Sequence, residues 1–139
     1  MVEPKKRGNT PAQSAGIGLT ILIVDDNPDM RAYVRYCLRE LDNQIAQTHE
    51  AADGLMALNL ARSIQPHLVI SDIMMPGLDG YELCKALKTL SLDSKPLVLL
   101  ISGETDEQRI REAGADAFLD KPFNAERMRR SLNQLLCRT

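Results

Sequence analysis

Three carboxylates, a hydroxyl and an amine fall in this chain where short apolar runs stop. Asp25 and Asp26 follow Thr20-Ile-Leu-Ile-Val24, Asp72 follows His67-Leu-Val-Ile-Ser71, Ser102 follows Leu97-Val-Leu-Leu-Ile101, and Lys121-Pro122 comes shortly after Phe118-Leu119. Brought together, these groups suit one kind of chemistry. A carboxylate is a poor nucleophile toward a phosphoryl group because two anions repel, so a divalent cation must neutralise the site. Paired aspartates offer the hard oxygen ligands that Mg²⁺ prefers, and an ammonium and a hydroxyl complement phosphoryl oxygens. Read singly, each signal has a plainer meaning. Asp-Asp after a strand is often a helix cap, Lys-Pro-Phe alone says little, and Met74 and Met75 are apolar residues beside a turn.

A parallel sheet would bring these residues together, because ligand sites in such sheets gather outside the carboxyl ends of the strands. The alternation of β-rich apolar runs with helical period predicts strands over 20–24, 44–48, 68–71, 97–101 and 117–119. Helices are predicted over about 28–41, 54–64, 80–89 and 125–136, with a short one within 106–113. Pro28 suits a first helical turn, where it has no donor to lose, and Asn27 before it can cap. Five β-then-α units imply an α/β fold, a doubly wound five-stranded parallel sheet with helices on both faces. In the last helix Ala125, Met128, Leu132 and Leu135 recur at helical spacing, while Glu126, Arg127, Arg129 and Arg130 fall elsewhere. The apolar stripe is expected on the sheet and the arginines on a solvated face. The fourth helix has room for little more than about two turns and depends on packing of Ile110 and Ala113.

With 139 residues, 44% of them apolar, the chain has the size of one domain with a real core. A net charge of -2 favours neither nucleic acid nor membrane, and no apolar stretch approaches the roughly 18 residues of a spanning helix. Residues 1–18 are rich in Gly, Pro, Ser and Gln, carry Lys5, Lys6 and Arg7 against Glu3, and read as a flexible tail before a domain at 19–139. The tail lacks the apolar core of a signal peptide, so a cytoplasmic location is expected. Cys37, Cys84 and Cys137 are odd in number and fit no zinc or CxxC pattern, which points to reduced thiols in or near the core. His49 and His67 stand isolated from acidic or histidine partners, and neither is assigned a chemical role.

Taken with Asp72-Ile-Met-Met-Pro-Gly77 and Asp120-Lys-Pro-Phe123, the constellation resembles the receiver domain of bacterial two-component response regulators, in the single-domain form of chemotaxis regulators. The resemblance runs over roughly 19–138 and implies the flavodoxin-like receiver fold. It implies that Asp26 and Asp72 bind Mg²⁺ directly, that Asp25 acts mainly through water, and that Met74 contributes its backbone carbonyl. Asp72 would be the phosphoacceptor, Lys121 would pair with the phosphoryl oxygens and Ser102 would donate a hydrogen bond to one of them. A cis Lys121–Pro122 bond is also implied. Phe118 stands where the family carries the aromatic that swings inward on activation; a simple core ring is the alternative. Against the family, 102–121 is short by roughly one helical turn, so the signalling face is expected to be altered and no particular dimer is expected. Glu104 and Met74 border the pocket mouth, at positions that in relatives tune access of water to the acyl phosphate.

The resemblance thus implies a Mg²⁺-dependent switch, phosphorylated on Asp72 by a histidine kinase or phosphotransfer protein. Its output would go to a separate effector, since the chain ends directly after the fifth helix, unless the sequence is an excised part of a longer protein. No direct nucleic-acid or membrane partner is expected, nor enzymatic activity beyond the chain's own phosphorylation and dephosphorylation. Two other readings stand beside it. One is a receiver-like scaffold that no longer uses phosphate. The other is a phosphohydrolase with Asp72 as nucleophile, which would want a second acid where Ile73 and Met74 stand.

Overall fold

Strand-end placement becomes geometry in the computed structural model, which describes residues 18–90, 95–104 and 106–137. Nearly all of the 1–18 tail lies outside the described residues. The elements run β1 Leu19–Val24, α1 Pro28–Cys37, β2 Ile45–Ala51, α2 Gly54–Ile64, β3 Leu68–Asp72, α3 Gly80–Thr89, β4 Leu97–Ser102, α4 Glu107–Ala113, β5 Ala117–Asp120 and α5 Ala125–Cys137. All pairings are parallel, in the order β2-β1-β3-β4-β5, as the doubly wound reading requires.

The period of two along each strand divides the core. Leu22, Val24, Val69, Val98 and Leu100 point to one face, where they meet Ala57, Ala61, Leu83, Cys84, Leu87, Ile110 and Ala113 of α2, α3 and α4. Ile21, Ile23, Leu68, Ile70, Leu99 and Ile101 point to the other, against Val34, Cys37, Met128, Leu132 and Leu135 of α1 and α5. The three interior strands, β1, β3 and β4, are therefore apolar on both sides, as covered parallel strands are. The stripe foreseen on the last helix packs on the sheet, and Ile110 and Ala113 anchor the short α4.

Helix starts are fixed by side chains. Asn27, Asp53, Asp79 and Asp106 cap α1 to α4 by accepting backbone N–H groups, each cap contributing about 1 kcal/mol. Asp79 and Glu82 form a reciprocal capping box. The predicted first helix runs too far: α1 stops at Cys37 and a 3₁₀ turn, Arg39–Gln44, replaces its last turn, with Leu41 still buried. The second strand is correspondingly shifted and longer than predicted, ending at Ala51, because pairing with β1 persists to Val24↔Ala51 through the polar segment that ordinary strand patterning rejects.

One close approach matters to the pocket. A Cβ on Gly80 would lie 2.4 Å from the Asp72 carbonyl oxygen and 2.6 Å from the Ile73 Cα, so α3 starts directly on the chain leaving β3. Gly80→Ala is expected to destabilise the chain by about 1–3 kcal/mol in urea denaturation. Gly103→Ala, with nothing within 4 Å of the added carbon, should shift it by less than about 0.5 kcal/mol. Thiol chemistry gives a second check on the core. Burial pushes the Cys84 thiol up to about 11 and raises that of Cys37, while Cys137 is exposed at the end of α5. A thiol-specific disulfide reagent should therefore label Cys137 rapidly in the folded chain, and Cys37 and Cys84 only on denaturation.

Candidate functional site

β1 and β3 are neighbours; β1 ends at Val24, directly before Asp25, and β3 ends in Asp72, because the apolar run that builds each strand stops where the sheet meets solvent. Asp25 and Asp72 are 4% and 5% exposed, whereas Asp26 points to solvent. One carboxylate oxygen from each of Asp25, Asp26 and Asp72 can be chosen so that all lie within 4.8 Å of one another. From the far side β5 delivers Lys121, whose Nζ stands 2.9 Å from Asp72 Oδ1. The Lys121–Pro122 peptide is cis, as the resemblance implied. The Lys121 N–H donates to the Ser102 carbonyl at 2.8 Å, extending the β4–β5 pairing to the edge of the pocket.

The electrostatics follow from this crowding. Burial raises the proton affinity of Asp25 above the ordinary carboxylate range. The Asp72 charge and a hydrogen bond with Asp26 add to the rise, while the Asn27 N–H and Lys121 oppose it. Asp25 Oδ1 accepts that N–H at 2.9 Å, which fixes its side chain over the start of α1. Three carboxylates facing one ammonium leave two negative charges to be balanced. A divalent cation with a preference for oxygen matches both the charge and the donor set, so Asp25, Asp26 and Asp72 fit Mg²⁺.

The remaining predicted residues lie around this centre. Ser102 ends β4, only 3% exposed. Its hydroxyl is engaged within its own loop, donating to the Glu104 carbonyl and accepting the Glu104 N–H at 3.0 Å. Met74 is 78% exposed beyond the end of β3. Phe118 is no core ring: it stands 37% exposed on β5 and lines a surface hollow of about 370 Å³ with Ile110, Ala115 and Leu135. The hollow thus lies between α4, β5 and α5. α4 is seated from its other side by Arg109, whose guanidinium carbon is 4.1 Å from the centre of the Tyr81 ring.

Sequence reasoning passed over three residues at the pocket wall. Arg31 donates to the Asp25 carbonyl at 2.6 Å and pairs through Nε with Glu50 at 2.9 Å, tying the β1–α1 loop to the end of β2. Arg35 also pairs with Glu50. Tyr33 donates its hydroxyl to the Phe123 carbonyl at 2.8 Å. Spacing along α1 places Arg31 and Arg35 on one face, four residues apart, but nothing in sequence points to a partner on another element.

Comparison with known proteins agrees with this geometry. The response regulator receiver domain family matches residues 21–133. The response regulator MprA of Mycobacterium sp. (strain KMS) is 36% identical over 121 residues, 86% of this chain and 51% of that protein. Histidine kinase P4 of Formosa agariphila is 36% identical over 120 residues, 84% of this chain and 8% of that protein. The chain thus spans about half the length of MprA, and far less of the kinase. The structure of the chemotaxis response regulator CheY4 of Vibrio cholerae superposes with a TM-score of 0.76 at 30% identity, covering 86% of this chain and 99% of that one. A parallel five-stranded sheet, an acidic cluster at its carboxyl edge and a family match across most of the chain lead to one conclusion: the chain belongs to the response regulator receiver domains of two-component signalling.

Proposed function

We propose that this chain is a cytoplasmic, phosphorylation-dependent switch that accepts a phosphoryl group on Asp72. Receiver domains are signalling switches rather than conventional enzymes. The observation that carries the proposal is the Lys121–Asp72 pair beside the acidic cluster, because it couples a buried carboxylate to the counter-charge a phosphoryl group would need. Among the described residues no helix is long and apolar enough to cross a membrane.

Asp25, Asp26 and Asp72, with the Met74 carbonyl, would hold Mg²⁺. Bound there, the ion supplies charge neutralisation and oxygen coordination for an incoming phosphoryl group. An oxygen of Asp72 forms the new bond to phosphorus while the bond to the donor's leaving atom breaks and its electron pair departs with the donor. Lys121 then exchanges its carboxylate contact for the phosphoryl oxygens. Ser102 leaves its two hydrogen bonds to Glu104 and donates to another of them, which draws its loop toward Asp72. Phe118 turns inward into the space this opens, and the surface of α4, β5 and α5 changes. The donor is a histidine kinase or phosphotransfer protein and the reader is a separate effector that binds the two states differently.

Incubation with a small phosphodonor and Mg²⁺, followed by intact mass, should give a single acid-stable, base-labile phosphoryl adduct. Asp72→Asn and removal of metal should each abolish it, and equal labelling of Asp72→Asn would sink the assignment. Lys121→Ala should leave Mg²⁺ binding in place and weaken the conformational response to phosphorylation. Repulsion in the cluster gives an independent check. In metal-free buffer Asp25→Asn should raise Tm by several degrees, because it removes a buried charge facing Asp72. Added Mg²⁺ should stabilise the unsubstituted chain more than that variant, which keeps Asp26 and Asp72. A lower Tm for metal-free Asp25→Asn would contradict the charge balance drawn here.

A further inference from the structure

Charge enters the pocket from two loops that are remote in the sheet. The β1–α1 loop carries Asp25 and Asp26, the β5–α5 loop carries Lys121, and the strand order puts β3 and β4 between them. Lys121 has a long, flexible side chain, so the distance from its ammonium to Asp72 depends on where its backbone is held. Three contacts hold that segment, one at each residue. The Lys121 N–H is tied to Ser102 on β4 at 2.8 Å, and the Pro122 carbonyl accepts from Arg127 of α5 at 2.9 Å. The Phe123 carbonyl accepts from Tyr33 of α1 at 2.8 Å.

The third contact crosses from one charged loop to the element that follows the other. α1 begins two residues after Asp26, and its first turn is capped by Asn27, whose own N–H is bound by the Asp25 carboxylate. Tyr33 also packs its ring on the buried Phe123 ring, with centroids 5.4 Å apart, and Tyr36 stacks on its outer side at 6.3 Å. A hydrogen bond and a ring contact from one side chain thus fix both the carbonyl and the side chain of Phe123, two residues from the ammonium-bearing residue.

We propose that Tyr33 is a positioning residue for Lys121. It holds the β5–α5 loop against α1 and so sets how well the ammonium reaches a phosphoryl group on Asp72. The inference rests on the switch reading above. It separates two properties of the pocket: phosphoryl binding depends on Tyr33 through Lys121, whereas cation binding by Asp25, Asp26 and Asp72 does not.

Calorimetric titration of the full chain tests this, first with Mg²⁺ alone and then with beryllofluoride, a phosphoryl stand-in, at saturating Mg²⁺. The proteins compared are the unsubstituted chain, Tyr33→Phe, Lys121→Ala and the double variant, each with its melting temperature. Tyr33→Phe keeps the ring and removes the hydroxyl that donates to the Phe123 carbonyl. It should leave Mg²⁺ affinity within about twofold and weaken beryllofluoride binding by about threefold to tenfold. In the Lys121→Ala background the same substitution should change nothing further, which a merely structural role would not produce. Unchanged beryllofluoride affinity in Tyr33→Phe, or the same loss in both backgrounds, would overturn the proposal. An unsubstituted chain that binds Mg²⁺ but not beryllofluoride would overturn the switch reading itself, and is seen before any variant is compared.

Discussion

Burial of the Asp25 and Asp72 carboxylates beside each other and Asp26 is the constraint on which the rest of the pocket depends. Two of these carboxylates are almost wholly buried, and oxygens of all three come within 4.8 Å of one another. Left to themselves such groups would move apart or into water. They are kept in place because Asp25 and Asp72 terminate adjacent, fully packed strands whose positions are set by the apolar core on both faces. The Asn27 N–H on Asp25 and the Lys121 ammonium on Asp72 offset part of the cost. Packing thus holds the carboxylates together, and a divalent cation bound there would offset their charge.

The same arrangement explains why the loops around the pocket are tied so closely to neighbouring elements. Arg31 links the Asp25 carbonyl to Glu50 on the edge strand, and Ser102 is engaged by Glu104. The two ties differ in kind. Arg31 carries full charges that reach between elements and is only 17% exposed, which suits a fixed wall. Ser102 is held by two neutral contacts within its own turn, which are weaker than charge-assisted hydrogen bonds. The two sides of the pocket thus differ in the strength of the contacts that hold them.

Much of this was legible in the chain because strand ends are marked by an abrupt change in polarity. Val24-Asp25, Ser71-Asp72 and Ile101-Ser102 each place a polar group at the carboxyl end of an apolar run, so both the sheet and the pocket could be foreseen. The second strand was harder. Gln47, Thr48, His49 and Glu50 lie on an edge strand with little to bury, and its polar character concealed its true end at Ala51. The first helix misled in the opposite way, since Leu38 and Leu41 continue its apolar spacing after the backbone has tightened into a 3₁₀ turn. Tyr33 could not have been found from spacing, because its partner is a backbone carbonyl 90 residues away and a carbonyl has no sequence signature.

Parallel strands joined by crossover helices also fix where the ends of the domain emerge. Leu19 opens the first strand at its amino end, and α5, returning against the direction of the strands, brings Cys137 to that same end. Both lie across the molecule from Asp72. A dye or surface tether attached at Leu19 or Cys137 would therefore stand clear of the acidic pocket and leave its mouth open.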